Sequence, residues 1–158
     1  MLQLGELRFR CAIGRSGVAA MKREGDGGTP AGVWRLVEVL WRRDRGCRPT
    51  CALPVRPMRP GDGWCDAPGD RNYNRPVQHP YAASAERLWR EDHLYDVVVV
   101  LDHNRRPRIR GHGSAIFMHV ARADYGATEG CLALRERDLR MLLARIGRRA
   151  RVTIGRRF

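Results

Sequence analysis

At 158 residues with 43% hydrophobic residues, the chain is long and apolar enough to bury a core, which excludes disorder throughout and fits one domain over 1–158. Its formal charge is +13, from 30 basic and 17 acidic residues, and Lys22 is the one lysine, so nearly all the positive charge is arginine. That excess fits either a coding bias or attraction to a polyanion, whether nucleic acid, a membrane surface or an acidic cell-wall polymer, and it says nothing of fold. No run approaches the roughly 20 apolar residues that span a bilayer.

Residues 2–14 alternate apolar and polar positions around Gly5, with Leu4, Leu7, Phe9, Cys11 and Ile13 apolar. This predicts a short hairpin leading into a strand. Charges interrupt the apolar positions, so the segment reads as strands and not as a secretory signal. Residues 14–32 form a glycine-rich connector that includes Thr29-Pro30. Lys22 precedes its glycines and no Gly-Lys-Ser/Thr ending follows, which argues against a phosphate loop. Residues 32–41 (GVWRLVEVLW) alternate well enough for a strand.

From Arg42 to Pro80 the chain is rich in Pro, Gly, Asp and Arg and shows no sustained period. Such a long excursion in a compact domain is usually functional or mobile. Within it WCDAPGDRNYNRPV (64–77) stands out, because loop aromatics and amides such as Trp64, Asn72, Tyr73 and Asn74 more often line a site than fill a core. Residues 84–90 are read as one or two helical turns. YDVVVVLDHN (95–104) is a continuous β-branched run, the mark of a buried central strand. A second apolar strand follows and delivers His119. Leu139, Leu142, Leu143 and Ile146 then fall on one helical face, with Gly147 placed to end the helix, and residues 150–155 read as a closing strand. The residues alone thus predict a mainly β domain with one amphipathic helix near its C-terminus.

The five cysteines are an odd number. Cys47 and Cys51 are close enough to pair, but unpaired thiols are the simpler reading. The histidines at 79, 93, 103 and 112 show no ligand spacing, so neither a metal nor a cofactor is expected.

The chemistry is concentrated in GSAIFMHVARADYGATEGCLAL (113–134), where His119 ends an apolar run and Cys131 follows 12 positions later. A thiol is a weak nucleophile until a base holds its proton, and imidazole is the usual acceptor. Either residue alone is as well explained by packing. Two strands joined by a short excursion would unite them, and Gly130 before the cysteine lets a substrate carbonyl approach backbone N–H groups. Ser114 and Thr128 are candidate oxyanion donors or substrate contacts, and equally turn residues bonded to local backbone. The reading is a cysteine acyl-transfer enzyme.

The run from His119 through TEGCLAL (128–134) resembles the signature of the L,D-transpeptidase catalytic domain. KREGDGGTPAGVW (22–34) is similar to that family's Thr-Pro-x-Gly turn opening a strand, and residues 64–77 are similar to the loop before its active site. The resemblance implies a β-sandwich or open barrel acting on peptidoglycan stem peptides as donor and acceptor, in the periplasm or cell envelope, with carbapenems as candidate inhibitors. It implies Cys131 as nucleophile, His119 as base, the Val120 carbonyl as orienter of the ring, and N–H groups at Gly130 and Cys131 as the oxyanion site. Arg122 is the candidate clamp for a substrate carboxylate, set against a plain surface charge, and Tyr73 and Asn74 are candidates for positioning the stem. Glu129 stands where the family has a basic residue, and Ala133 where a polar one is common, so the pocket's charge differs from the commonest type. A hydrolytic L,D-carboxypeptidase or amidase is the alternative within this chemistry. A basic nucleic-acid module is the alternative outside it, disfavoured because the arginines scatter and no recognition motif is visible, so no nucleic-acid partner is expected.

Overall fold

The computed structural model describes residues 1–155. The alternating N-terminus folds as the expected hairpin, in which β1 (Leu2–Leu4) and β2 (Leu7–Phe9) pair antiparallel with Gly5 at φ 56 in the turn. β3 (Cys11–Ala12) follows it. The glycine-rich connector holds two short parallel strands, β4 (Val18–Ala19) and β5 (Thr29–Pro30). It is drawn tight, since a Cβ at Gly14 would collide with the Gly27 carbonyl oxygen. Thr29 is fully buried there, its Oγ1 accepting the Gly14 N–H at 2.8 Å.

β6 (Gly32–Trp41) has the bounds its alternation predicts, and β7 (Val55–Pro57) lies parallel beside its end. The stretch that lacks a readable period is not structureless. β8 (Asp62–Cys65), β9 (Pro76–Gln78) and β10 (Ala85–Arg87) form a three-stranded antiparallel sheet in the order β10-β8-β9. Strands this short cannot display alternation. Pro76 opens an edge strand, where its missing N–H breaks no ladder. The helical turns expected over 84–90 are thus replaced by a strand. Ala85 pairs with Cys65 and Arg87 with Gly63, satisfying backbone that an isolated helical turn would leave open.

β11 (Val97–Leu101), β12 (Phe117–Val120), β13 (Leu132–Leu134), α1 (Glu136–Arg145) and β14 (Arg151–Ile154) complete the chain. The main sheet curls and runs β14-β6-β11-β12-β13-β3, with β7 also on β6. Its β12–β13 pair is parallel, and the other neighbours on that path are antiparallel. The period of two sorts the valine run: Val97 and Val99 join Met118, Leu132, Leu134 and the helix leucines Leu139, Leu142 and Leu143. Val98 and Val100 face the other way, with Leu40, Trp64, Leu88, Tyr95, Phe117 and Cys131. Both faces are covered, which is why the run is continuously apolar. The helix stops at Arg145, because Ile146 already has extended backbone (φ −91, ψ 147), so Gly147 is not its terminator.

Candidate active site

The register of one strand pair decides the site. His119 lies opposite Ala133 across β12 and β13, and Cys131 is two residues before Ala133. Side chains alternate along a strand, so His119 and Cys131 emerge on the same face. Both line one cavity of about 570 Å³. The Cys131 Sγ donates to the Ala115 carbonyl at 3.3 Å and accepts the Phe117 N–H at 3.4 Å. Burial pushes this thiol up to about 12. His119 Nδ1 donates to its neighbour's carbonyl, Val120 O, at 2.8 Å. A carbonyl can only accept, so the proton sits on Nδ1 and Nε2 carries the free lone pair. Tyr95 stands edge-on to the ring at 5.1 Å, and burial holds the imidazole down to about 4. Both groups are therefore neutral near pH 7.

Ser114, Thr128, Glu129 and Arg122 line the same cavity. Ser114 is buried, and its Oγ has no hydrogen-bond partner among the described residues. Thr128 is tied locally, its Oγ1 donating to the Cys131 carbonyl at 2.7 Å and accepting the Gly130 N–H at 3.2 Å. Glu129 is exposed and pairs with Arg15 at 2.7 Å, and Arg122 is exposed on the rim. Gly130, next to Cys131, has φ 136, and a Cβ there would sit 2.8 Å from the Gly28 carbonyl oxygen. Only glycine makes that approach without strain.

Tyr73 and Asn74 are not brought into the cavity. Tyr73 is buried, and its hydroxyl donates to the Glu24 carboxylate. Asn74 is buried too, its Oδ1 accepting from Trp64 Nε1 at 2.9 Å and from the Ala115 N–H at 3.2 Å. Its Nδ2 donates to the carbonyls of His103 and Asn104. These two residues brace the wall from behind. Trp64, read as loop lining, is core.

The cavity also contains residues that sequence reasoning did not single out. Glu24, Asp66 and Glu86 give it carboxylates, and Tyr95 and Arg90 complete that side. Glu86 accepts the Tyr95 hydroxyl, and burial raises its carboxyl above the usual range. Asp66 has a buried oxygen, Oδ1, with no partner among the described residues. Arg90 pairs with Asp92 and lies 5.1 Å over the Tyr95 ring. Glu24 and Asp66 fall inside the two segments that the family resemblance highlights. Glu86 carries no such signal, because its strand is three residues long and pairs only with a distant segment.

The fold is a curled, mainly β sheet with one late helix, and its cavity holds a thiol and an imidazole on one face. The model of the L,D-transpeptidase catalytic domain (YkuD) matches residues 3–154, and the chain belongs to that family. The family consists of L,D-transpeptidases, which act on peptidoglycan peptides. No curated protein and no solved structure matches the chain.

Proposed function

We propose that this protein is a peptidoglycan L,D-transpeptidase of the cell envelope, contributing to wall cross-linking and cell shape, with Cys131 as nucleophile and His119 as general base. The observation that carries the reading is the shared face of His119 and Cys131 in one cavity, with the ring held by the Val120 carbonyl. The thiol attacks the carbonyl carbon of a donor stem peptide while His119 Nε2 takes its proton. With the thiol up near 12 and the imidazole down near 4, no ion pair exists at rest, so the proton moves as the sulfur–carbon bond forms. The Val120 carbonyl stabilises the imidazolium so formed, the role an aspartate has in serine triads. The oxyanion is taken by the N–H groups of Gly130 and Cys131, the first exchanging its long bond to Thr128. Collapse expels the leaving amine, which receives the proton from His119 and leaves a thioester on Cys131. A second stem peptide's amine, having lost its extra proton to solvent, then attacks the thioester while His119 takes the amine's N–H proton and returns it to the departing sulfur, forming the new amide and restoring the thiol.

The carboxylates of Glu24, Asp66 and Glu86 favour transfer over hydrolysis, because they attract a cationic amine and not neutral water. In this reading Arg122, which lines the cavity, is the clamp for a stem carboxylate. Incubation with purified disaccharide-peptides tests the reading. Dimers from wild type and none from Cys131→Ala support it. Shortened monomers alone would establish a hydrolase, and equal dimer formation by both proteins would remove Cys131 from the mechanism.

A further inference from the structure

A second cavity, of about 740 Å³, shares no lining residue with the first. Its floor is Trp34 and His103, whose rings meet edge-on at 4.6 Å, and His103 is buried with Nδ1 unpartnered among the described residues. Its rim combines two kinds of group. Met21, Val33 and Ile109 are exposed at 80%, 54% and 48%, a concentration of large apolar side chains that a soluble surface normally avoids. Between them stand Arg23, Arg106 and Arg110. None of these arginines, nor Arg105 or Arg108 beside them, pairs with a carboxylate among the described residues. Desolvation and the neighbouring Arg75 and Arg105 also hold Arg108 below the ordinary arginine range.

This rim is rigid. Asn104 Nδ2 donates to the Ile109 and Gly113 carbonyls at 2.8 and 2.9 Å, and its Oδ1 accepts the Ile109 N–H at 2.8 Å. The Glu24 N–H donates to the Gly111 carbonyl at 2.9 Å, tying the loop to the connector that bears Met21. Guanidinium groups without carboxylate partners among the described residues and exposed aliphatic side chains are therefore presented together from a hydrogen-bonded loop backbone.

We infer that this face docks the protein onto an anionic phospholipid surface. Met21, Val33 and Ile109 enter the headgroup boundary, while Arg23, Arg106 and Arg110 meet lipid phosphates. A bilayer supplies both halves of what the rim offers, anionic groups above an apolar layer. A nucleic-acid strand fits less well, because it calls for successive exposed rings to stack on, and the cavity lining offers a single exposed imidazole, His112. The one nearby indole is half-buried, packed on His103, with its N–H donating to the Pro30 carbonyl at 3.1 Å.

Co-sedimentation of the full chain with vesicles tests this independently of the peptidoglycan reading. Vesicles of phosphatidylcholine and phosphatidylglycerol in equal amounts should bind the protein, salt should weaken the binding, and phosphatidylcholine alone should not bind. Arg106→Gln with Arg110→Gln should lower partitioning about 25-fold, at roughly fivefold per arginine. Met21→Ser with Ile109→Ser should lower it while leaving the salt dependence intact. All four positions are exposed, so unchanged melting curves should accompany the loss. Failure of wild type to partition, or equal partitioning of wild type and variants, would overturn the proposal. So would full release by glycerol phosphate at matched phosphate concentration, or binding to a single-stranded RNA oligonucleotide without binding to vesicles.

Discussion

One main-chain carbonyl, Val120 O, decides which nitrogen of His119 holds a proton, and thereby leaves the other able to accept one. If His119 is the base, His119→Gln should lower kcat by about 10²- to 10⁴-fold with little change in donor KM, measured by single-turnover acylation. Cys65→Ala should retain most activity: Cys65 lies on β8, and its side chain does not line the cavity. Glu86→Gln should raise the KM for the acceptor amine while leaving donor acylation unchanged; a matching loss in acylation would mean that Glu86 supports the thiol instead. At this scale the pairing of Cys131 with His119 in one cavity was legible, because their residue types and spacing already suggest it. The carboxylates were not, since a lone Glu or Asp in a loop or on a short strand looks like any surface charge until folding turns it into a cavity.

Among the elements, the long strands and the helix announced themselves through period. β6, β11 and α1 bury alternating or helically spaced apolar residues against each other, and that requirement is written along the chain. The β8–β10 sheet left no such trace, because each strand is held by partners remote in sequence and not by its own pattern. Leu143 is fully buried where α1 meets the sheet, so Leu143→Ala should cost about 2–5 kcal/mol in denaturant unfolding. Gly130→Ala should cost roughly 1–3 kcal/mol, because it combines a left-handed backbone at φ 136 with a clash on the Gly28 carbonyl. It should also slow acylation by displacing Cys131, whereas Gly147→Ala, with open space around it, should do neither.

For the whole molecule, burying a histidine couples folding to pH. In the unfolded chain His119 takes up a proton near its ordinary 6.5, whereas in the folded protein it does so only near 4. Between these values the unfolded state binds more protons, so this residue's contribution is fully present above about 6.5 and is lost as pH falls toward 4. The loss should reach about 3 kcal/mol at about 1.4 kcal/mol per pH unit. Chemical denaturation of wild type beside His119→Gln should show a shallower acid slope in the variant; identical slopes would mean that His119 is solvated in the folded state. Read by itself, the sequence determined the family and the mainly β fold with its late helix, and pointed to Cys131 and His119 as a candidate pair, because periodic burial and reactive residue types are local properties of the chain. Only the tertiary structure decided that Tyr73 and Asn74 brace the wall from outside the cavity, that Glu24, Asp66 and Glu86 face inward, and that arginines without carboxylate partners among the described residues gather beside exposed aliphatic residues. Those outcomes depend on which distant segments pair and on which face each strand turns inward, and a single residue of register would reverse them.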